Sequence, residues 1–459
     1  MLSCLTHSQW GWKKQDVTRV FKSHLKSIMD YGGFAWQSYL SLENLAKLER
    51  IQNRALGIAS GQYRTAPSEA KRAECQVVSY ATSSKRAIAK AREKAIRLPA
   101  DHPRFKAIQP AGQKRLLKSD WRSTSAEIID TYIPLSCIST AQSFELFTVP
   151  PWENSLGATI TEKVPGIIRK DDPVDLLLSR SLHQIDNIGA AITIYTDGSA
   201  DAGTSRGGAA VVVTTGPAAD PEVIRIKGAK HTCSYDEEKT AMSEAISWIA
   251  QQQQQQEVCI VTDSQSLCMA LLNRNPEVDP LRAALRSCDA TITIQWVPGH
   301  AGIPGNEEAD RAAKEAAQMQ GPHKPTTYKC ACSLINRHIN DINTHARTSA
   351  VYEGYSSKKE LEVKTRADQA FLAQLRSGHQ KSFREYVHEK LDPSVDPYCP
   401  DCLSERHNLE HWLQCEGTLA ARQKLFGNIE CGLDTLCREP AKTLALSRST
   451  LRGAREPQG

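Results

Sequence analysis

The amino-acid sequence predicts an α/β fold: a mixed five-stranded sheet flanked by helices, between a basic helical region and a small helical module near the end of the chain. Three observations lead there. Five runs rich in β-branched residues (192–196, 207–215, 222–227, 258–262 and 292–297) are interleaved with segments of helical periodicity. Four carboxylates, Asp197, Glu238, Asp263 and Asp310, each stand at the end of a strand or in an early turn of a helix. Cys399-Pro400-Asp401-Cys402, followed by His411 and Cys415, has the spacing of a metal-ligand set.

Residues 1–120 read as a basic helical region, with helices over 17–31, 42–56 and 83–98, a turn at Gly61 and a break at Pro67. Leu42, Leu45, Leu48, Ile51 and Leu56 form the expected apolar stripe of the second helix, with Lys47, Arg50 and Arg54 on its other side. The region carries 22 Lys and Arg against 9 Asp and Glu, whereas residues 190–320 carry 10 against 17. The overall net charge of +5 conceals this asymmetry. Residues 121–189 read as a linker with some local structure, including Val149-Pro150-Pro151-Trp152.

Residues 190–320 hold the chemistry. Ile192-Thr193-Ile194-Tyr195-Thr196 runs straight into Asp197-Gly198-Ser199, so a carboxylate ends a buried strand, at a solvation cost that a cation or hydrogen bonds must offset. The next two runs are spaced as an antiparallel meander. Ser234-Tyr235-Asp236-Glu237 has the form of a capping box, which makes Glu237 the cap and Glu238 the inward acid of the following helix. The apolar run 258–262 is expected to be buried on both faces and parallel to the first strand, which brings Asp263 and Asp197 to one sheet edge. After the last strand come a Gly-rich loop bearing His300 and an Ala-rich helix over 306–317, where Ala313 and Ala317 share the Asp310 face and allow close packing on the sheet. Gln251 to Gln256 reads as a helix end or loop.

In this order, Thr-Asp-Gly-Ser, Glu238, Thr-Asp-Ser-Gln, Trp-Val-Pro-Gly-His and Gly-Asn-Glu-Glu-Ala-Asp resemble a type 1 ribonuclease H domain. The resemblance implies a ribonuclease H-like sheet and hydrolysis of the RNA strand of an RNA/DNA hybrid. It further implies two magnesium or manganese ions held by Asp197, Glu238, Asp263 and Asp310, with His300 assisting proton movement or product release. Oxygen donors suit those ions better than zinc, and two divalent ions about 4 Å apart activate water and stabilise a leaving 3′ oxygen. Gly198, Ser199, Ser234, Gln265 and Asn306 are the positions it sets against substrate. Between Asp263 and the strand at 292 there is little room for the basic, Trp-bearing handle of many cellular ribonucleases H.

The flanks carry further resemblances. Asp30-Tyr31-Gly32-Gly33-Phe34-Ala35-Trp36 and Leu48-Glu49-Arg50-Ile51-Gln52-Asn53-Arg54-Ala55-Leu56, with Arg64-Thr65-Ala66-Pro67, resemble the thumb and connector of reverse transcriptases of Jockey-like non-LTR retrotransposons. No Tyr-x-Asp-Asp motif precedes the nuclease, and Asp171-Asp172 beside Pro173 is not one, so the expectation is a truncated polyprotein without polymerase activity. Residues 321–459 read as helical, and Cys399, Cys402, His411 and Cys415 resemble the carboxy-terminal zinc segment of the same elements. Leu403 stands where glycine is usual, and His407 is a rival ligand. The 14 cysteines lack the dense spacing of a secreted scaffold, and there is neither a signal peptide nor a membrane-length apolar run. The expectation is an intracellular protein of nucleus or cytoplasm that binds nucleic acid and no membrane.

Overall fold

The computed structural model describes residues 2–109, 121–133, 152, 155–166, 172–201, 205–216, 219–252, 256–340, 346–427 and 430–451. Val149 to Pro151, Asp171 and residues 253–255 of the glutamine tract lie outside the described residues. The backbone divides into two units: Met1–Ile88 with Leu116–Ser125 and Ile339–Gly459, and Ala89–Arg115 with Ala126–His338. Regions expected at opposite ends of the chain thus contribute to one unit, and the expected linker contributes to the other.

The second unit is built on a sheet of strands β1 (Ala158–Thr161), β2 (Ile192–Asp201), β3 (Ser205–Thr214), β4 (Glu222–Lys227), β5 (Glu257–Thr262) and β6 (Thr291–Trp296), in the order β1-β6-β5-β2-β3-β4. β1, β6, β5 and β2 run parallel, and β3 and β4 are antiparallel. Six strands replace the expected five. The extra one is the four-residue β1, from within the expected linker, paired along the β6 edge with Ala158 opposite Ile292. The α-helices between residues 174 and 338 are α1 (Val174–Ile188), α2 (Ser234–Gln251), α3 (Gln265–Leu272), α4 (Asp279–Arg286), α5 (Pro304–Gln318) and α6 (Tyr328–His338).

Register explains the layers. Ile160, Ile294, Ile260, Ile194 and Val213 are successive cross-strand partners, so one row of branched side chains crosses the sheet. That row packs with Met242, Ala245, Ile246 and Ile249 of α2. On the opposite face Cys259 and Val261 of β5 pack with Leu177 and Ile185 of α1, so β5 is buried on both faces, as its unbroken apolar run requires. Ala312 and Ala313 of α5 lie against Ala210 of β3. The approach is so close that a Cβ at Gly208 would stand 2.2 Å from the Ala313 carbonyl oxygen. Fully burying Met242 and Ile246 is worth roughly 2 kcal/mol each.

The first unit is helical. Its helix Leu42–Ser60 stops at Gly61, whose φ of +76° lets its N–H reach the Gly57 carbonyl. The expected stripe is corrected: Leu42 and Ile51 are exposed, and the buried face is Gln52, Ala55, Leu56 and Ala59. Leucines spaced by three lag a helix of 3.6 residues per turn, and from Leu42 to Ile51 they wind about half-way round it. At the centre of this unit lies a buried ionic cluster. Lys14 Nζ stands 2.5 Å from Glu74 and 2.7 Å from Glu360, and Arg376 stands 2.9 Å from each of the same acids. Tyr352 donates to the other Glu74 oxygen at 2.7 Å. Burial works to raise the Glu360 carboxyl, yet Arg376 and Lys14 outweigh it and hold it at about 2.

Candidate active site and metal centre

β2 and β5 run parallel with Thr196 opposite Thr262, so the residues that follow these partners, Asp197 and Asp263, reach the same edge of the sheet. α2 supplies Glu238 because Gly198 lets it approach; a Cβ there would lie 2.1 Å from the Glu238 nitrogen. Ligand oxygens of Asp197, Glu238 and Asp263 consequently fall within 4.8 Å of one another. Asp197 and Glu238 are buried and Asp263 is half-buried. The Asp263 carbonyl accepts from Trp296 Nε1 at 3.1 Å, which ties this corner to β6.

Three acids so close repel one another when ionised. Burial first, then Asp263 and Asp310, pushes the Asp197 carboxyl up to about 7. Burial, followed by Asp197 and Asp263, raises Glu238 well above the usual carboxylate range. Glu238 Oε2 is buried with no protein hydrogen-bond partner. Like charges gathered in a dry corner, with an orphaned oxygen among them, fit a divalent cation with oxygen ligands.

Asp310 belongs to an adjoining group. Its carboxylate falls within 4.8 Å of ligand atoms of His300 and Glu307. It also accepts from Lys314 Nζ at 2.6 Å, and this hydrogen bond raises the Lys314 pKa. Asp310 still acts on Asp197 through space, so the four expected acids form one neighbourhood with the lysine at its margin. His300 is exposed, in a left-handed conformation with φ +56°. Its loop is braced by Glu307, which accepts from the Gly302 N–H at 3.3 Å. Neither Glu307 nor Lys314 was singled out from the sequence, although their spacings of three and four residues from Asp310 put them on its face.

The expected capping box is absent. α2 starts at Ser234 with Cys233 as its cap residue, and no side chain caps it. Glu237 is instead buried and accepts from the Ala229 N–H at 3.2 Å. Ser234, exposed, opens α2, and Gln265, half-buried, opens α3. Asn306 is buried in the first turn of α5 with its Oδ1 unpartnered. Gly198 and half-buried Ser199 follow Asp197 in β2.

The second constellation lies in the first unit. Ligand atoms of Cys399, Cys402, His411 and Cys415 fall within 4.8 Å of one another. The two cysteines of the Cys-x-x-Cys turn lie in the loop closed by a short antiparallel bridge between Tyr398 and Arg406, and Leu403 accommodates the turn at φ +58°. Helix Leu409–Gln414, capped by Asn408, presents His411, and Cys415 follows its last residue. Cys399 and Cys415 sulfurs are 3.8 Å apart. Two thiolates on a tetrahedral zinc, each at about 2.3 Å, are separated by about 3.8 Å. Ser404, donating to Cys402 Sγ at 3.1 Å, lowers that thiol to about 6. Glu405 Oε2 lies 3.0 Å from His411 Nδ1, leaving Nε2 turned to Cys402 at 3.3 Å. His407 is not in the group. It is buried beside Phe383, accepts weakly from the Arg384 N–H at 3.4 Å, and burial lowers its pKa to about 4. None of the described cysteines is in a disulfide, and no helix among the described residues is long and apolar enough to cross a membrane.

The crystal structure of LC9-RNase H1, a type 1 RNase H with the type 2 active-site motif, is similar over 28% of this chain and 73% of its own, at 20% identity and a TM-score of 0.23. Residues 189–318, which contain Asp197, Glu238, Asp263, His300 and Asp310, match the RNase H family, and this part of the chain is an RNase H domain.

Proposed function

We propose that the protein cleaves the RNA strand of RNA/DNA hybrids by divalent-metal-dependent phosphodiester hydrolysis. The observation that carries the reading is the convergence of Asp197, Glu238 and Asp263 within 4.8 Å, inside the segment that matches the RNase H family. Asp197, Glu238, Asp263 and Asp310 hold magnesium or manganese; when bound, such ions polarise the scissile phosphate and activate water. Glu307 keeps the His300 loop in place, and His300 moves protons at the departing oxygen. Ser199, Ser234, Gln265 and Asn306, each within four residues of one of these acids in the chain, contact the RNA strand.

The flanks fit a protein derived from a non-LTR retrotransposon, acting on nucleic acid inside the cell. Residues 1–120 contribute positive charge to the grip on a polyanion. Cys399, Cys402, His411 and Cys415 bind one structural zinc, a reading supported by the 3.8 Å sulfur separation. A second reading, nucleic-acid binding without cleavage, draws on the Lys314 ammonium, which takes the place of a cation on one Asp310 oxygen. Magnesium-dependent cleavage of an end-labelled hybrid by the full chain decides between them. Products from the RNA strand alone are expected, and binding without any product would leave the second reading standing.

A further inference from the structure

The RNase H match ends at residue 318, and the residues that follow stay in the same unit of the chain. The Gly321 carbonyl accepts from Lys227 Nζ of β4 at 2.9 Å, the Lys324 N–H donates to the Gly228 carbonyl at 3.2 Å, and Lys324 bridges in parallel to Ala229. This path carries Thr327 to the first turn of α2. Its hydroxyl donates to the buried Asp236 carboxylate at 2.6 Å and accepts from the Cys330 N–H at 3.2 Å, so the side chain is held through both its donor and its acceptor. Arg97, also buried, donates to the neighbouring Thr326 carbonyl at 3.1 Å.

The next residue of α2 is held from another side. Glu237 accepts from the Ala229 N–H at 3.2 Å, in a recess that two glycines leave open: a Cβ at Gly207 would lie 2.1 Å from its carboxylate, and one at Gly228 2.4 Å. Ala229 is also the residue that Lys324 bridges, so both holds share one support. The peptide joining Glu237 to Glu238 then rests on Gly198, where a Cβ would come 2.3 Å from the Glu237 carbonyl carbon. Successive residues of a helix point about 100° apart. Holds on Asp236 and Glu237, with the backbone seated on Gly198, therefore fix the roll of this turn as well as its distance from the sheet.

The turn needs that restraint because of what it carries. Glu238 faces Asp197 and Asp263, and repulsion among the three anions drives α2 away from the sheet edge. No side chain caps the start of α2 to steady it. A roll of about 10° moves a side-chain end about 5–6 Å from the helix axis by about 1 Å. Ligand distances at a metal tolerate only about 0.2 Å. We propose that residues 321–327 form a clamp with Asp236 and Glu237 that sets Glu238 against Asp197 and Asp263, which makes Thr327 and Glu237 positioning residues of the metal site. They act through Glu238 and touch neither metal nor substrate. The proposal rests on the nuclease reading for the metal that Glu238 helps to hold.

The test is manganese affinity of the full chain without hybrid, read by electron paramagnetic resonance and restricted to the binding that Asp197→Asn removes. Thr327→Val keeps the side chain's shape and loses its hydroxyl, and Glu237→Ala removes the carboxylate. Each is expected to weaken that binding roughly tenfold, as loss of a group that orients a metal ligand does. With hybrid and magnesium, kcat should fall while KM changes little. Thr327→Ser and Glu237→Gln, which bring back the donor to Asp236 and the acceptor for Ala229, should recover both readouts. A merely structural role would lower the melting temperature and leave the manganese affinity of the folded protein unchanged; that result for either Thr327→Val or Glu237→Ala overturns the proposal. So does failure of Thr327→Ser to recover what Thr327→Val loses. A wild type that binds manganese at the three acids and cleaves no hybrid would instead sink the nuclease reading, and the affinity comparison would still decide the clamp.

Discussion

Two groups of buried charge among the described residues are built on opposite principles. In the helical unit Lys14 and Arg376 face Glu74 and Glu360, two cations for two anions, and each cation comes within 2.9 Å of both acids. In the RNase H domain three anions, Asp197, Glu238 and Asp263, converge within 4.8 Å, and Asp310 beside them pairs with Lys314 at its rim. A balanced cluster satisfies itself and needs nothing from outside. An unbalanced one raises the free energy of the empty fold, and a fold keeps it when the deficit is what binds the ligand. The contrast separates structural from functional charge without reference to any relative.

The largest effect should come from removing one ligand charge. Asp197→Asn keeps the side chain's size but not its charge, so hybrid cleavage should fall about a thousandfold or more, as for other loss of an essential catalytic group. Circular dichroism should stay native, and the melting transition of the metal-free variant should be no lower than that of the wild type. Cleavage at the wild-type rate would show that Asp197 is no ligand. The balanced cluster should answer in the opposite currency: Arg376→Met strands Glu74 and Glu360 against Lys14 alone and should cost about 3–5 kcal/mol of stability. Denaturant unfolding of the helical unit reports it, and a loss within error would mean that the cluster relaxes into water.

The same contrast predicts a pH dependence. The Asp197 carboxyl lies at about 7 in the fold against 3.8 when free, and Glu238 is shifted the same way. The folded state therefore holds protons that the unfolded chain has released. Stability from Asp197 is fully present below about pH 4 and is lost as pH rises to about 7, and Glu238 adds to the loss in the same direction. Metal-free protein should lose on the order of 2–4 kcal/mol across that window. Asp197→Asn should flatten much of the loss, and saturating magnesium should offset it at neutral pH. A metal-free melting temperature that holds steady from pH 4.5 to 7.5 would contradict the raised carboxyls.

How much of this was legible in the sequence follows from the range over which each feature acts. Asp197, Asp263 and Glu238 were legible because each adjoins a local pattern, a β-branched run or a helical periodicity, that fixes its place on a sheet edge. β1 was not: Ala158-Thr159-Ile160-Thr161 is short and half polar, and only the open edge of β6 makes it a strand. The helix of residues 42–60 was legible, but its buried face was not, because a three-residue leucine spacing was read as straight when it winds. Glu237 was misread as a cap because its partner, the Ala229 N–H, comes from the end of β4. The ionic cluster left no trace at all, since Lys14 and Glu360 lie 346 positions apart and meet only once the chain has folded. Among the zinc-site residues the ligand spacing is local and was legible; Glu405, which orients His411, was not, because a glutamate in a polar turn has no pattern of its own.

The smallest predicted effect compares the two candidate metal sites through their backbones. Each contains a non-glycine residue in the left-handed region, His300 at φ +56° and Leu403 at φ +58°. At His300 the strain carries an imidazole to the Asp310 carboxylate, so relieving it with glycine removes the group it positions. At Leu403 the side chain is 70% exposed and carries nothing to the sulfurs. The turn needs the backbone conformation, because the Leu403 N–H donates to the Cys399 carbonyl at 3.0 Å. An L-residue there costs about 1–2 kcal/mol that glycine does not incur, and glycine gives back about 0.4–1 kcal/mol through the greater freedom of the unfolded chain. Leu403→Gly should therefore stabilise the segment by about 0.5–1 kcal/mol, seen as a higher melting temperature in reduced protein and as slower release of zinc to a chelator. A lower melting temperature would mean that the leucine side chain packs on something the exposed turn does not reveal, and the two left-handed residues would then be alike in earning their strain.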